Sequence, residues 1–414
     1  MNGPLEGIRV LDLSAMLSGP WAADILGDQG AEVIKIEPTG KGDHVRALPN
    51  RSGGLASMFI NVNRSKRSLT LDLKSEAGLE VLKRLVQTAD VLVQNFRPGV
   101  VERLGISYED LREVNPKLVY LSISGFGEKG PYAKKRAYDP IVQAVSGLAS
   151  IQGGADDARP RLIRTVLPDK LTAMMGAQSI CAALVSRATT GEGQHIRLSM
   201  LDTILQFLWV SDMNAYTFVD KPVTPEKAAS FIDLIYETKT DYITISTMSN
   251  NEWQQFCKAA ERPDLLEDPR FATPALRDEN VNERLQEIQN VLLTRPADEW
   301  LELLTEFDVP CAPALRRFEL IENEQVLASE SIVETDHPVA GRLRQARVAP
   351  RFSGTPVAPP RGAPQLGEHS IQVLEEAGFD VAEIDRLLRD GTVGQESAAP
   401  PVEDIERVAV TRGA

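Results

Sequence analysis

A single aspartate, Asp169, stands at the start of a helix-forming stretch and could act as a nucleophile. It lies in the sequence TVLPDKLTAMMGAQ at 165–178, where small and apolar residues follow it. A carboxylate at a helix N-terminus is held in its ionised form, because the free backbone N–H groups and the helix dipole favour the charge. An ionised carboxylate among apolar residues is a competent nucleophile toward an activated carbonyl group. The same position also suits an ordinary helix N-cap, and the local pattern does not choose between the two interpretations.

The cysteine and histidine residues form no recognisable metal or disulfide pattern. The three cysteines are far apart and odd in number, and no pair has the CxxC spacing. No two of the four histidines stand at ligand spacing. We therefore expect no metal site and no disulfide framework. These residues are Cys181, Cys257, Cys311, His44, His195, His337 and His369.

The chain of 414 residues is acidic overall, but its first third is not. The net charge of −14 argues against a nucleic acid or an anionic membrane surface as partner. Residues 1–140 contain 19 Lys and Arg against 17 Asp and Glu, whereas the remainder contains 26 against 42. We therefore expect an anionic ligand in the amino-terminal third. No apolar run approaches the roughly 20 residues of a membrane span, and the start lacks a signal-peptide pattern, so a cytoplasmic protein is expected.

The first 200 residues alternate strand and helix patterns, which is typical of a parallel sheet covered on both faces. The predicted strands are 7–15, 31–37, 67–74, 90–96 and 117–127, and the predicted helices are 19–30, 75–89, 107–116 and 138–151. In such sheets ligands bind beyond the carboxyl ends of the strands. Polar or glycine-rich segments follow those ends, but none matches a dinucleotide fingerprint or a P-loop.

The remainder of the chain predicts a smaller domain and a return to the larger one. Residues 194–216 are typical of a strand that runs into an apolar helix, and 231–320 predicts one hairpin followed by amphipathic helices. A second hairpin is predicted over 337–353 with Gly341 in its turn. Two short helices are expected at 369–379 and 381–391, and the last 20 or so residues have a disorder-prone composition.

Seven stretches, in order, resemble the class III coenzyme A transferases, the family of formyl-CoA transferase and carnitine CoA-transferase. They are 7–20, 26–43, 63–74, 90–105, 123–148, 190–202 and 352–369, so the resemblance covers nearly all of residues 5–380. It implies an α/β fold: a large Rossmann-like domain with a parallel sheet, plus a smaller α+β domain, in an interlocked homodimer. The implied divisions are a large CoA-binding domain (1–217), a linker (218–230), a small domain (231–325), a return segment that completes the large domain (326–393) and a tail (394–414).

The same resemblance implies a covalent mechanism centred on Asp169, which falls where the family has its catalytic aspartate. It implies that CoA moves from an acyl-CoA donor, such as succinyl-CoA, to a carboxylic acid through an aspartyl-CoA thioester. Coenzyme A is then a substrate and no cofactor is bound permanently. The implied partners are a second copy of the chain and the two small-molecule substrates.

Residues that match the family's CoA-contacting positions lie mostly in the cation-rich first third. Their Lys and Arg side chains suit the phosphates of CoA, although solvated surface cations have the same composition. The positions are Leu71, Lys74, Asn95, Phe96, Arg97, Arg103, Arg136 and Tyr138.

Two departures and two alternatives qualify this prediction. Leu17 and Pro38 stand where the formyl-CoA enzyme has a glutamine and an arginine, which argues against oxalate and formyl-CoA as substrates. An alpha-methylacyl-CoA racemase shares the fold, but it needs a pair of acid and base groups, and Tyr138 stands where the racemases have histidine. A non-catalytic CoA-binding protein, with Asp169 serving as a helix cap, is the second alternative.

Overall fold

The computed structural model describes residues 3–155, 157–223 and 234–395. By spatial contacts the chain divides into two compact units. The larger comprises Met1–Ala149, Leu162–Val219 and Glu330–Ala414, and the smaller comprises Ser150–Arg161 and Asp220–Ser329. Part of the expected linker (224–230) and most of the expected tail (396–414) lie outside the described residues, and the domain boundaries implied by the resemblance stay a prediction.

The described residues alternate strands and helices through the first 200 positions. The strands, in chain order, are β1 (Arg9–Asp12), β2 (Glu32–Glu37), β3 (Arg51–Ser52), β4 (Leu55–Ala56), β5 (Arg67–Leu71), β6 (Val91–Gln94), β7 (Val119–Ser124), β8 (His195–Ser199), β9 (Ile235–Glu237), β10 (Tyr242–Ile245), β11 (Cys311–Pro313), β12 (Ile332–His337), β13 (Gly341–Ala346) and β14 (Val393–Gly394). The helices are α1 (Ser18–Asp28), α2 (Ser57–Asn63), α3 (Glu76–Val86), α4 (Val100–Leu104), α5 (Tyr108–Val114), α6 (Asp139–Val145), α7 (Leu148–Ile151), α8 (Leu167–Thr190), α9 (Met200–Trp209), α10 (Asn250–Ala259), α11 (Asp264–Glu267), α12 (Pro274–Glu279), α13 (Val281–Leu292), α14 (Ala297–Glu306), α15 (Glu324–Ala328), α16 (Ser370–Glu376) and α17 (Val381–Arg389).

A seven-stranded sheet of order β14-β5-β2-β1-β6-β7-β8 forms the centre of the larger unit. Its strands run parallel except β14, which pairs antiparallel with β5. The predicted mixed α/β fold with a mainly parallel sheet is therefore confirmed. Because the six parallel strands point the same way, their carboxyl ends share one side of the sheet, which we call the carboxyl edge.

Both faces of this sheet are covered by helices, because successive strand residues point to opposite sides. In β1, Val10 packs into a cluster with residues of α1 and α8, whereas Leu11 packs with residues of α3, α5 and α16. All of these strand residues are fully buried. The sheet thus fixes where α1 and α8 begin, and both begin near its carboxyl edge.

Local signals in the sequence set several helix ends. The Ser75 hydroxyl accepts the backbone N–H of Gly78 at the start of α3, as predicted. One predicted helix, 138–151, is wrong as a continuous element. It breaks into α6 and α7 at Gly147, whose φ of 86° lies in the left-handed region that ends a helix. The segment α2 with the small β3–β4 pair was not predicted.

The carboxyl-terminal part completes the larger unit. The hairpin is formed by β12 and β13, so it covers 332–346 rather than 337–353, with Gly341 at its turn as predicted. The two predicted short helices are present as α16 and α17. The chain then returns to the sheet as β14, where Val393 pairs with Leu71.

The smaller unit contains a three-stranded sheet of order β11-β10-β9 and the helices α10 to α14. The predicted hairpin corresponds to β9 and β10, and β11 adds a third antiparallel strand. Its core includes two tryptophans, Trp253 and Trp300, and two phenylalanines, Phe256 and Phe271. Of the described helices in both units, none is long and apolar enough to cross a membrane.

Candidate active site

Asp169 lies in the first turn of α8, but it is not the residue that caps the helix. The helix begins at Leu167, Val166 occupies the N-cap position, and no side chain forms a cap hydrogen bond. Pro168 is the second helical residue, a position where its missing N–H costs nothing. The side chain of Asp169 is therefore not the N-cap acceptor that the helix-cap interpretation requires.

The carboxylate of a second acid, Asp139, is hydrogen-bonded to the backbone of Asp169. The backbone N–H of Asp169 donates to Oδ2 of Asp139 at 3.2 Å. Asp139 opens α6 and is only 3% exposed, and its Oδ1 accepts a hydrogen bond of 2.6 Å from Nε2 of Gln143. The Gln143 side chain also accepts the N–H of Ile163 at 2.9 Å and donates to the carbonyl of Thr165 at 3.2 Å. Gln143 and Asp139 together hold the chain that leads into α8.

Burial and the neighbouring charge of Asp139 make the ionised form of Asp169 less favourable. Desolvation is the larger cause and the negative charge of Asp139 the second, and together they raise the pKa of Asp169 to about 6. Interactions with the hydroxyl and backbone of Ser18 act in the opposite direction. Burial likewise raises the pKa of Asp139 above its ordinary value. At neutral pH Asp169 is thus ionised yet poorly solvated, which suits a nucleophile.

Ser18 brings the start of a second helix to this carboxylate. It is the first residue of α1 and is 4% exposed, and α1 packs along α8. The first N–H groups of a helix have no partner within the helix and carry its positive dipole end. Asp169 is therefore near the amino ends of two helices, which favour the negative charge that develops on a carbonyl oxygen during attack.

Two fully buried lysines hold the loop that precedes α1 and the first turn of α1 itself. Nζ of Lys35 donates to the carbonyl of Ser14 at 2.9 Å, and Nζ of Lys66 donates to the carbonyl of Pro20 at 2.7 Å. Both ammonium groups flank the buried carboxylate of Asp12, at 3.7 and 2.8 Å. Burial alone would raise the pKa of Asp12, but the two lysines bring it down to about 2, so Asp12 stays ionised.

Other polar contacts fasten the same loop from the side. Asn95, at the end of β6, accepts the N–H of Ala15 at 2.9 Å and donates to its carbonyl at 2.7 Å. The carboxylate of Asp43 accepts the N–H of Met16 at 3.1 Å. Met16 has a φ of 71°, an unfavourable conformation for a residue with a side chain, so these contacts maintain a strained turn.

The eight predicted CoA-binding residues lie along or near the carboxyl edge but differ in accessibility. Leu71 is 1% exposed and its side chain belongs to the core, so only its backbone could meet a ligand. Asn95 is committed to Ala15, and Phe96 packs partly against the core. Tyr138 is 57% exposed and directly precedes Asp139. The remaining four residues are positively charged: Lys74, Arg97, Arg103 and Arg136.

The cationic side chains are exposed and free of acidic partners. In the described part of the chain, no carboxylate forms an ion pair with any of them, although many other Lys and Arg residues are paired. Arg97 and Arg103 flank Gly99, whose φ of 85° begins the short α4 and whose missing side chain leaves room for the Arg103 guanidinium. Arg97 and Phe96 line a cavity of about 700 Å³. The four are Lys74, Arg97, Arg103 and Arg136.

Several residues of this site were not singled out from the sequence. Asp139 carries one weak signal, an acid directly before a proline at a predicted helix start, but its proximity to Asp169 is a tertiary feature. Ser18 and the two lysines carry no local signal, since a Lys within a short strand or a basic run usually faces solvent. No three or more His, Cys, Asp and Glu residues of the described ranges are grouped so as to hold a metal ion.

Comparison with known proteins gives a consistent result. The family model of CoA-transferase family III matches residues 5–370. A Fusarium pseudograminearum (strain CS3096) protein named acyl-CoA transferase is 31% identical over 412 residues, which is 95% of this chain and 89% of the relative. A formyl-CoA:oxalate CoA-transferase of Escherichia coli O157:H7 (strain EC4115 / EHEC) is 33% identical over 416 residues, covering 93% and 98%. The crystal structure of a CAIB/BAIF family protein from Brucella suis superimposes with a TM-score of 0.79 and 30% identity, covering 91% of this chain and all of that one.

Proposed function

The chain belongs to CoA-transferase family III and is a CoA-transferase, and from this premise we propose that it works through an aspartyl-CoA thioester on Asp169. The donor is an acyl-CoA such as succinyl-CoA and the acceptor is a carboxylic acid. One observation carries the proposal: a carboxyl group with a pKa raised to about 6 lies in the first turn of α8 and interacts with Ser18, the first residue of α1.

The first half of the reaction loads CoA onto the enzyme. An oxygen of the Asp169 carboxylate attacks the thioester carbonyl carbon of the donor. The C–S bond breaks, the CoA thiolate departs, and an acyl-aspartyl anhydride is formed. The thiolate then attacks the aspartyl carbonyl carbon of that anhydride. The donor's carboxylate leaves, and CoA is now joined to Asp169 as a thioester.

The second half reverses these steps with the acceptor. The acceptor carboxylate attacks the aspartyl thioester, the thiolate leaves, and a new anhydride forms. The thiolate attacks the acceptor's acyl carbon, which releases the new acyl-CoA and restores the Asp169 carboxylate. Each step needs an oxyanion to be stabilised, and the Ser18 backbone N–H is the donor that we propose for it.

Asp139 and Ser18 have opposite effects on the pKa of Asp169. The Asp139 charge raises the free energy of ionised Asp169, and this cost disappears once Asp169 becomes a neutral anhydride or thioester. Ser18 favours the ionised form and, through its N–H, the developing oxyanion. The arrangement therefore destabilises the resting carboxylate relative to its acylated states, which favours the covalent path.

For CoA binding we propose the four exposed cations together with Phe96 and the backbone near Leu71. Lys74 follows β5 and Arg97 follows β6, with β2 and β1 between them in the sheet. Three strand spacings correspond to about 14 Å, a span that an extended molecule with a nucleotide at one end and a thiol at the other can cover. Free guanidinium and ammonium groups along that span suit its phosphates.

We further propose that the enzyme is the interlocked homodimer implied by the family. Neighbouring helices α6, α8 and α9 expose large apolar side chains that a monomer would leave in water. They include Ile141, Val145, Met174, Val185, Phe207 and Trp209. A dimer gives twice 45.4 kDa in light scattering. Interlocked chains would also fail to exchange subunits with a tagged copy unless they were first unfolded, whereas rapid exchange would contradict the interlock.

A screen of donors and acceptors tests the proposed reaction. Succinyl-CoA, acetyl-CoA and formyl-CoA are each combined with a panel of carboxylic acids that includes oxalate, and new thioesters are identified by mass. Hydroxylamine added during turnover should modify Asp169 and no other carboxyl group. Transfer without any trapped Asp169 would overturn the covalent path, and deuterium incorporation into a 2-methylacyl-CoA without transfer would favour the racemase.

The racemase is disfavoured because Tyr138 stands where the racemases have histidine. Three of the four histidines also have other partners: His195 pairs with Ser122, His337 with the Ala363 carbonyl and His369 with the Ser68 backbone.

A further inference from the structure

The side-chain amide of Gln143 is hydrogen-bonded at both of its ends, and the backbone fixes its orientation. Gln143 lies in α6 and is 1% exposed. Its Oε1 accepts the N–H of Ile163 at 2.9 Å, and its Nε2 donates to the carbonyl of Thr165 at 3.2 Å. A backbone N–H only donates and a carbonyl only accepts, so the amide cannot turn over without losing both contacts. Its Nε2 group therefore has to face its third partner, Asp139.

Both carboxylate oxygens of Asp139 consequently accept a hydrogen bond. Oδ1 accepts from Nε2 of Gln143 at 2.6 Å, and Oδ2 accepts from the backbone N–H of Asp169 at 3.2 Å. A proton added to either oxygen would weaken the bond that this oxygen accepts. Burial raises the pKa of Asp139, whereas the two hydrogen bonds and the charge of Lys170 lower it. Its immediate partners therefore favour the ionised form of Asp139.

The carboxylate of Asp169 is less well stabilised than that of Asp139. Burial and the charge of Asp139 raise the pKa of Asp169 to about 6, and Ser18 is the one described residue that acts in the opposite direction. When two acids interact, the first proton goes mainly to the one whose charge is less favourable. The two carboxyl groups are thus unequal, and the amide of Gln143 is a main cause of the difference.

We propose that Gln143 is a positioning residue for the transfer reaction: its amide keeps Asp139 ionised, so that the first proton taken up by this pair of acids goes to Asp169. Gln143 acts through Asp139, and the role rests on the proposed nucleophile Asp169. The same amide holds the backbone at Ile163 and Thr165, in the segment that leads into α8. Loss of Gln143 should therefore disturb both the position of Asp169 and the charge beside it.

The other charged groups around Asp139 do not replace this amide. From α8 they are Asp169 itself and Lys170, whose charge favours the ionised Asp139 without fixing its orientation. Helix α9 also packs against α6, and its one charged residue, Asp202, is hydrogen-bonded within the first turn of its own helix. Arg164, between the two backbone groups that Gln143 holds, is exposed.

A methionine at this position tests the role in catalysis. Gln143→Met keeps the length of the side chain but removes the donor, so we expect kcat to fall about tenfold with little change in KM. Asp139 then takes up a proton more readily, and the charge that opposes ionised Asp169 is lost earlier as the pH falls. The acidic limb of kcat/KM should therefore move to lower pH. In an Asp139→Asn background, Gln143→Met should not move the limb.

A second buried glutamine of the larger unit provides the control. Gln345 is 8% exposed and its Nε2 donates to Oδ1 of Asn61 at 3.1 Å. Gln345→Met should leave kcat and the acidic limb unchanged. The proposal would be overturned by a limb that stays in place in Gln143→Met, or that moves equally with and without Asp139.

Gln143→Glu decides the question if Gln143→Met fails to fold. Its new carboxyl group, when protonated, can donate to Asp139 and accept the N–H of Ile163, as the amide does. This variant should therefore resemble the wild type at low pH and lose activity as the pH rises and the shared proton leaves. A kcat that is reduced equally at every pH would contradict the role of the donor.

Unfolding experiments test the same assignment without reference to the reaction. Because Gln143 favours ionised Asp139, the stability lost in Gln143→Met should be larger at pH 8 than at pH 4.5, where the buried Asp139 of the variant takes up a proton. In an Asp139→Asn background the loss should be the same at both pH values. Equal losses in the single variant would exclude the role of Gln143, whereas an active Asp169→Asn would exclude the proposed nucleophile and leave this unfolding result unaffected.

Discussion

The backbone N–H of Asp169 donates to the carboxylate of Asp139 at 3.2 Å, so the first turns of α8 and α6 are joined by a hydrogen bond that brings two acids together. Burial and the Asp139 charge raise the pKa of Asp169, whereas the pKa of Asp139 is raised by burial although the hydrogen bond itself favours its ionised form. A purely structural contact would not require an acid at position 169, because the donor is its backbone. The side chain of Asp169 is left available for chemistry.

Substitution of the proposed nucleophile should abolish transfer. Asp169→Asn keeps the backbone donor and nearly the same shape but cannot attack a thioester, so we expect a loss of about 10³-fold or more in kcat. Steady-state assays with succinyl-CoA and an active acceptor from the screen would measure it. Asp298→Asn, which changes an acid in the first turn of α14 in the smaller unit, is the control and should retain near-normal activity. Full activity of Asp169→Asn in a folded dimer would sink the mechanism.

The same variant should be more stable than the wild type at high pH. The folded-state pKa of Asp169 is raised from 3.8 to about 6, so above pH 6 the protein carries an ionised group that the unfolded chain solvates better. This penalty is on the order of 3 kcal/mol, is fully present above pH 6, and fades as the pH falls from 6 toward 3.8. Asp169→Asn removes it.

Denaturant unfolding at two pH values measures this effect. At pH 8 we expect Asp169→Asn to have the larger free energy of unfolding, and at pH 4.5 the difference should shrink strongly. A constant difference at both values would mean that Asp169 is not perturbed. Asp298→Asn again serves as the control.

The pH profile of the reaction should report the Asp139–Asp169 interaction. Because the nucleophile must be ionised, kcat/KM should fall as the pH drops through about 6. Asp139→Asn removes a negative charge that raises the pKa of Asp169, so the acidic limb should move to lower pH. An unmoved or upward-shifted limb would show that Asp139 does not act electrostatically on Asp169.

The sequence predicted the sheet and the helices around it because their signals are local. Strands such as β6 are short apolar runs, and Ser75 and Gly341 mark a helix start and a turn through their own backbone chemistry. The pairing of Asp139 with Asp169 depends on how α6 packs beside α8, which no local pattern encodes. Lys35 is a similar case: within AEVIKIE it is one charge in an apolar strand, and only the fold gives it its buried partners.

The buried lysine cluster should affect catalysis through Ser18. Lys66→Met removes three hydrogen bonds, among them the one to the Pro20 carbonyl in the first turn of α1, and leaves Asp12 with a weaker counter-charge. We expect kcat to fall about tenfold with little change in KM. Because Ser18 lowers the pKa of Asp169, its displacement should also move the acidic limb to higher pH, opposite to Asp139→Asn.

Lys66→Met should also lower the stability of the protein, and a neighbouring arginine provides the control for this effect. Arg67→Met also breaks an ion cluster, in which a buried guanidinium pairs with the partly exposed carboxylates of Glu32 and Glu376 and does not pair with the loop before α1. Both variants should lose stability, Lys66→Met by about 3 kcal/mol and Arg67→Met by less, because the acidic partners of Arg67 are partly exposed. A fall in kcat and a shifted pH profile that are equally large in Arg67→Met would show that Lys66 acts only on stability.

Lys74 is expected to recognise the nucleotide end of CoA, and a chemical comparison can assign its contact. Its ammonium group is exposed beyond the end of β5 and has no carboxylate partner among the described residues, so a ligand phosphate is a suitable counter-charge. Lys74→Gln should raise KM for succinyl-CoA about tenfold without changing kcat. With 3′-dephospho-succinyl-CoA, wild type and variant should have similar KM values if the 3′-phosphate is the contact. Lys117→Gln, an exposed lysine just before β7 at the opposite edge of the sheet, should change neither. An equal increase in KM with both donors would exclude the 3′-phosphate, and no increase with either would remove Lys74 from the CoA site.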